Sequence, residues 1–241
     1  MKAIILTAGV GSRIRPLTDD KPKALIEVAG KPILARMIDA FIASNISEVI
    51  VVVGYREEQI RAFLQTNYPS LTFHFIFNKN YQETNTGYSM LLTKPYVGDD
   101  DFVKCDGDVV FEQSILEKLL KSPYPSALCI DKQINLAAEE VKVLTDSDHK
   151  VLQVGKKLDP SKVNGESIGI EKIHKDAARV FFAELEKLML DKKNWQEYYD
   201  DTYTTLVERG VPFYAVDISG NTWVEIDTHE DFALAEKLFA R

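Results

Sequence analysis

The sequence predicts an α/β fold: a mostly parallel, twisted sheet with helices on both faces, and a smaller antiparallel part embedded in its second half. Two observations carry this. Through the first half, short apolar runs of strand length alternate with runs whose apolar residues recur at helical spacing, the pattern of a parallel sheet covered on both sides. Beyond about residue 125 the runs shorten and are joined by turn-forming residues, which favours antiparallel pairing.

Residues 3–6 read as a short buried strand. Pro32 opens a helix whose Ile33, Leu34, Met37, Ile38, Phe41 and Ile42 repeat at helical spacing and should meet the sheet. Residues 49–53 form a second buried strand ended by Gly54-Tyr55. A helix over 57–65, a third strand over 71–77 and a short helix over 87–92 follow. Residues 102–105 make a fourth strand that runs into Asp106-Gly107-Asp108. Further on, 127–130, 141–144 and 151–154 read as strands, the last two joined as a hairpin through TDSDHK. An amphipathic helix covers 175–190 and another covers 195–207. Two strands and a last helix, capped near Thr228 with acidic residues in its first turn, complete the chain.

With 241 residues and no internal repeat, low-complexity tract or linker-like stretch, a single domain over 1–241 is expected. No stretch approaches the roughly 20 apolar residues needed to cross a bilayer, and the opening MKAIILTAG is broken by glycine too early for a signal peptide. A cytoplasmic protein without membrane insertion is therefore expected. The net charge of −8 disfavours nucleic acid. Cys105 and Cys129 fit reduced, buried thiols better than a disulfide, and four scattered histidines do not make a zinc site.

The informative stretch is LTAGVGSRIRPLTDDKPKALIEV, residues 6–28, where a strand breaks into glycines followed by Arg13, Arg15, Lys21 and Lys23. A glycine turn lets backbone N–H groups approach a ligand, and the cations beside it point to an anion. A P-loop spacing is absent, and the third glycine of a dinucleotide fingerprint is replaced by Ile14. The positions Leu6, Ala8, Gly9, Gly11, Arg13, Pro16, Thr18, Pro22, Lys23 and Leu25 together resemble the sugar-phosphate nucleotidyltransferase superfamily, whose opening motif is LxAGxGxRxxPxTxxxPKxL. Within it the chain looks most like the cytidylyltransferases that act on phosphocholine and related small phosphorylated alcohols.

The resemblance implies a Rossmann-like nucleotidyltransferase fold, with 1–125 mainly binding nucleotide and 126–241 mainly binding acceptor. It implies an enzyme that joins a phosphate or phosphonate oxygen to the α-phosphorus of a nucleoside triphosphate with release of pyrophosphate. Both reactants are anions, so positioning and charge neutralisation dominate. Leu6, Ala8, Gly9, Gly11, Arg13, Lys23 and Asp106 are implied nucleotide contacts, with Lys23 and Arg13 the catalytic cations. Cys105 is read as core. Mg²⁺ is the implied cofactor, carried over to Asp108 and Asp227, with Glu225 a less favoured ligand on the same strand face. An acidic turn is the plain alternative for Asp106-Gly107-Asp108.

The loop ETNTGYSM, where the resembled enzymes read the base, offers Asn85, Thr86, Gly87 and Ser89; a helix N-cap by Asn85 or Thr86 is compatible with that role. Cytosine and uracil differ by one donor-for-acceptor exchange, and the resemblance favours CTP. For the acceptor, Lys156 or Lys157 could meet a phosphate, Glu166 to Gly169 resembles the strand under the acceptor, and Trp195, Tyr198, Tyr199, Asp200 and Asp201 form an aromatic and acidic patch suited to a cationic head group. A solvated turn for the lysines and a core stripe for the aromatics are the alternatives. The expected partners are thus a nucleoside triphosphate and a small phosphorylated acceptor; no oligomeric state follows. A UTP- or dTTP-dependent sugar-1-phosphate enzyme is the rival within the fold. A non-catalytic nucleotide sensor would be expected to lack Lys23, Asp108 or Asp227, and all three are present.

Overall fold

The computed structural model describes residues 1–133, 136 and 140–240. The first half runs β1 (Lys2–Thr7), β2 (Glu27–Val28), β3 (Lys31–Pro32), α1 (Ile33–Ala43), β4 (Glu48–Val53), α2 (Glu57–Asn67), β5 (Thr72–Phe77), α3 (Thr86–Leu91), α4 (Lys94–Val97) and β6 (Phe102–Asp106). The second adds β7 (Val109–Phe111), α5 (Gln113–Lys121), β8 (Ala127–Asp131), β9 (Lys142–Thr145), β10 (Val151–Gly155), β11 (Gly165–Ile173), α6 (Lys175–Met189), α7 (Asp201–Glu208), β12 (Tyr214–Asp217), β13 (Trp223–Glu225) and α8 (His229–Phe239).

Strands β6, β1, β4 and β5 lie side by side and parallel. Their residues are apolar on both faces because both faces are covered. Ala3, Ile5, Val49, Val51, Val103 and Cys105 enter one packed layer with α1 and α5, while Ile4, Leu6, Ile50, Val52 and Phe102 enter a second with α6 and α7. The chain steps outward from β1 to β4 and β5, then returns to place β6 on the other side of β1. That reversal opens a crevice at the carboxyl ends of β1 and β6, where such sheets bind ligands. Both sequence motifs of interest leave the sheet there.

The embedded part is antiparallel. Strand β11 pairs with β6, β8 and β9; β9 and β10 form the expected hairpin; β12 runs parallel to β8. A separate two-stranded ribbon, β7 with β13, pairs Val109 with Glu225, and the Ile226 amide donates to the Asp108 carbonyl at 3.1 Å. Two acidic segments far apart in sequence are thereby held together. Helix α8 starts with a capping box, Thr228 with Asp231.

Two expectations are corrected. Ile42 is 44% exposed, because α1 has turned its sheet-facing stripe past this position. Residues 195–207 are not one helix: a 3-10 turn (Lys192–Gln196) ends at the extended Glu197, and α7 starts only at Asp201. The carbonyl of Glu197 accepts from the Gly87 amide at 3.3 Å instead of closing a helical turn. Helix α5, with Ile115, Leu116 and Leu119 buried, adds an element absent from the sequence-based scheme.

Gly107 lies against the end of β1. A Cβ there would lie 2.4 Å from the Leu6 carbonyl oxygen and 2.8 Å from Thr7 Cγ2. Since the obstacle is backbone, Gly107→Ala must push β6 away from β1. It is expected to cost about 2–3 kcal/mol, seen as a fall in Tm of about 5–10 °C.

Candidate active site

The loop after β1 folds back upon itself. Gly11 takes a left-handed conformation, φ 66° and ψ 38°, and Thr18 Oγ1 donates to its carbonyl at 2.8 Å. A Cβ on Gly11 would lie 3.0 Å from Thr18 Cγ2 and 3.2 Å from Lys23 Cβ. Glycine therefore allows the turn to rest on Lys23 and to present backbone to the crevice. Lys23 Nζ then bridges two carboxylates, Asp108 Oδ2 at 2.8 Å and Asp227 Oδ1 at 2.9 Å, and Arg13 Nη2 reaches the same Asp227 oxygen at 2.7 Å.

These charges answer one another. Burial pulls the Lys23 ammonium down, but the Asp108 and Asp227 carboxylates outweigh it and hold its pKa above the usual lysine value. Burial pushes Asp227 up, and Lys23 with Arg13 more than offsets this, holding it below the usual carboxylate range. At Glu225 the pull of Lys23 is outweighed. Burial, then the carboxylates of Asp108, Asp227 and Asp106, push it up to about 9. One oxygen each of Asp108, Glu225 and Asp227 lies within 4.8 Å of the others. Three carboxyl groups with oxygens this close are a fitting donor set for a hard divalent cation, whose charge would favour the ionised form of Glu225.

The cluster opens onto a cavity of about 950 Å³. Leu6, Gly9, Gly11, Arg13 and Lys23 line it on the β1 side, and Asp106 and Asp108 on the β6 side. Asn85 and Thr86 reach it as well. The Asn85 side chain caps α3 by accepting from the Thr86 amide at 2.8 Å, and the buried Thr86 hydroxyl has no partner among the described residues. Ala8, Gly87 and Ser89 do not line the cavity. Gly87 lies under residues 197–198, and Ser89 accepts from Asn78 at 3.1 Å.

The far side gathers Lys156, Glu166, Gly169, Tyr198, Tyr199 and Asp200. Lys156 Nζ stands 4.2 Å over the Tyr198 ring, whereas Lys157 and Asp201 are exposed and off the cavity. Beneath lies a buried network. Lys104 Nζ, 1% exposed, bonds Asp106 Oδ2 at 2.7 Å and Glu171 Oε2 at 3.1 Å and touches the Tyr199 hydroxyl, which itself donates to Asp106 at 2.7 Å. Burial pushes Glu171 up to about 8 against the pull of Lys104, and Asp200 up to about 7 in the same way. A third group, Asp131, Glu140 and Glu166, forms an acidic wall beside Trp223, whose Nε1 donates to Asp131 at 2.9 Å. Glu166 is 5% exposed, and beside it Ser167 Oγ and Glu140 Oε2 are buried without a hydrogen-bond partner among the described residues.

Sequence reasoning passed over Lys104, Glu171, Asp131, Glu140 and Trp223. The available signal was charge inside strands: Lys104 interrupts an apolar run in β6, and Glu171 is a charged residue within β11, which is buried along most of its length.

Residues 3–140 match the MobA-like NTP transferase domain. The chain belongs to that family of nucleotidyltransferases. The CTP:phosphoglutamine cytidylyltransferase of Campylobacter jejuni is 29% identical to this transferase over 96% of its chain and 97% of the relative's. The CMP-5'-(3-aminopropyl)phosphonate synthase of Streptomyces rubellomurinus is 29% identical over the whole chain, which spans 39% of that relative's length. The solved structure of the CTP:phosphocholine cytidylyltransferase of Streptococcus pneumoniae superposes with a TM-score of 0.82 at 25% identity, covering 98% of both chains. No helix of the transferase, among the described residues, is long and apolar enough to cross a membrane.

The acidic wall gives the transferase a pH signature. Burial, then the Glu140 and Asp131 carboxylates, push Glu166 up to about 8, against about 4.3 for an unfolded glutamate. The fold therefore holds an extra proton between these values, and its stability falls as pH rises from about 4.3 through about 8. Glu166→Gln is expected to flatten that slope and raise Tm at pH 8.5 relative to the parent; thermal melts across pH 5 to 9 read it directly.

Proposed function

We propose that the protein transfers CMP from CTP to a small phosphate or phosphonate monoester that carries a cationic nitrogen, releasing pyrophosphate, with Mg²⁺ as cofactor. The observation that carries this is the Lys23 ammonium set between Asp108 and Asp227 at one end of a cavity whose opposite wall is acidic. A triphosphate suits the first end. Backbone amides of the glycine turn, Arg13 and Lys23 supply positive potential there, as a triphosphate requires.

In the reaction an acceptor oxygen attacks the α-phosphorus, the bond from that phosphorus to the bridging oxygen breaks, and pyrophosphate departs with the electron pair. No covalent intermediate on the protein is needed, and Cys105 is buried in the core. Arg13 orients the outer phosphates, while Lys23 meets charge that builds at the α-phosphate. Mg²⁺, held by Asp108 and Asp227 with Glu225 beside them, would neutralise the leaving pyrophosphate. Thr86 and Asn85 address the base from the cavity rim. The preference for CTP is supported by the named nucleotide of the Campylobacter and Streptococcus relatives.

For the acceptor, the wall of Asp131, Glu140 and Glu166 suits a protonated or quaternary nitrogen, with Tyr198 and Trp223 beside it as aromatic faces. Lys156, which lines the same cavity and lies over Tyr198, brings a cation to the acceptor phosphate. Two relatives are named for acceptors with such a nitrogen, 3-aminopropylphosphonate and phosphocholine.

Pyrophosphate release across CTP, UTP and dTTP, each with 2-aminoethylphosphonate, phosphoethanolamine, phosphocholine, inositol phosphate and glucose 1-phosphate, tests the proposal. CTP with an aminated acceptor should dominate; preference for UTP or dTTP with the hexose phosphate would overturn it in favour of a sugar-1-phosphate enzyme. Lys23→Ala should lower kcat by about 10²–10³-fold while the KM for CTP moves far less, and comparable changes in both would make Lys23 a binding residue only. Glu166→Gln should raise the KM for an aminated acceptor roughly tenfold or more and leave that for ethylphosphonate unchanged.

A further inference from the structure

The segment 195–201 touches both halves of the cavity. On one side it is bonded to the loop that carries Asn85 and Thr86. The Asn85 amide donates to the Trp195 carbonyl at 2.8 Å, the Gly87 amide to Glu197 at 3.3 Å, and Gln196 Nε2 to the Glu83 carbonyl at 2.8 Å. Gly87 leaves no slack there, since a Cβ would lie 2.7 Å from the Glu197 oxygen and 3.3 Å from the Tyr198 carbonyl carbon. The Trp195 ring packs on Tyr88 at 4.9 Å.

On the other side the same segment is tied to the cavity floor. The Tyr199 hydroxyl donates to Asp106 Oδ2 at 2.7 Å and meets Lys104 Nζ, which also reaches Glu171 and the Gly169 carbonyl, the latter at 3.3 Å. Asp106, Glu171 and Asp200 surround one ammonium, so Lys104 is the sole charge that reconciles them among the groups acting on this cluster. Between its two attachments, the segment presents Tyr198, Tyr199 and Asp200 to the cavity. Its apolar spacing is helical in the sequence, yet Glu197 is extended at φ −77°, ψ 153°. These contacts hold it out of a continuous helix.

We infer that residues 195–201 are a coupling element pinned by Lys104 and Tyr199, through which a nucleotide at the Asn85–Thr86 loop orders the acceptor side of the cavity. Lys104 is thus a positioning residue: it acts through Tyr199 and Asp106 and does not meet the reacting atoms. Nucleotide that stiffens the loop stiffens the segment through three inter-segment hydrogen bonds, and the pin converts this into a fixed Tyr198–Asp200 surface. Without the pin the loop still binds nucleotide, but the acceptor surface no longer responds. This rests on a nucleoside triphosphate entering as proposed above.

Amide hydrogen exchange on the full chain, with and without CTP and Mg²⁺, tests the inference in the parent protein, Lys104→Met and Tyr199→Phe. Removal of a buried ammonium among carboxylates is a large perturbation, so Tyr199→Phe, which keeps the ring and the charge balance, is the gentler variant. In the parent, CTP should slow exchange in both 83–90 and 195–201. In Tyr199→Phe it should still protect 83–90 while protection of 195–201 is lost, with acceptor KM raised roughly tenfold and the KM for CTP within about twofold. Undiminished protection of 195–201 in a variant, or equal rises in both KM values, would overturn the coupling. Protection of neither segment in the parent would overturn the nucleotide assignment itself and the coupling with it.

Discussion

The fold converges on an electrostatic contact between one ammonium and two carboxylates brought from separate parts of the chain. Lys23 arrives on the return of the loop after β1, Asp108 at the exit of β6, and Asp227 behind the β7–β13 ribbon. None of these positions is near another in sequence. Their meeting depends on β6 being laid beside β1 after the chain has visited β4 and β5, and on Gly107 letting the two strand ends close up. An ion pair of this kind contributes little net stability once desolvation is counted. Its value lies in holding opposite charges side by side at the mouth of the cavity, where the proposed triphosphate and divalent cation would meet them.

Much of this was legible in the chain. The alternation of strand and helix through β6 follows from hydrophobic period, and the glycine turn and Lys23 were readable because glycine and charge are conspicuous directly after a buried strand, whereas Asp108 and Asp227 were paired only through the family resemblance. The rest was hidden for physical reasons. Tyr199 and Trp195 stand at helical spacing, and only contact with Gly87 and Lys104, distant in sequence, explains why the backbone between them is extended. Glu166 reads as an ordinary strand residue until Asp131 and Glu140 are folded against it. Ile42 fits the stripe of α1 by count alone, yet it lies at the edge of the buried face, just past Phe41, and is turned to solvent.

The two ends of the cavity are electrostatically unlike. At the Lys23 end cations and anions alternate at hydrogen-bond distance, and pKa shifts run toward the charged forms of Lys23 and Asp227. Across the cavity, acids outnumber bases, and Glu166, Glu171 and Asp200 all hold protons more tightly than free carboxylates do. A ligand that is anionic at one terminus and cationic at the other would lie along this gradient in only one direction, which restricts its orientation before any shape-specific contact is made.

Strand β6 carries a further consequence. Phe102, Lys104 and Asp106 face one layer, Val103 and Cys105 the other. Slippage by a single residue would drive the Lys104 ammonium, and Asp106 with it, into the apolar layer beneath α1 and leave a thiol to answer Glu171 and Asp200. The misaligned pairing is therefore penalised twice, so the buried lysine serves as a registration mark that discourages the central sheet from assembling out of step.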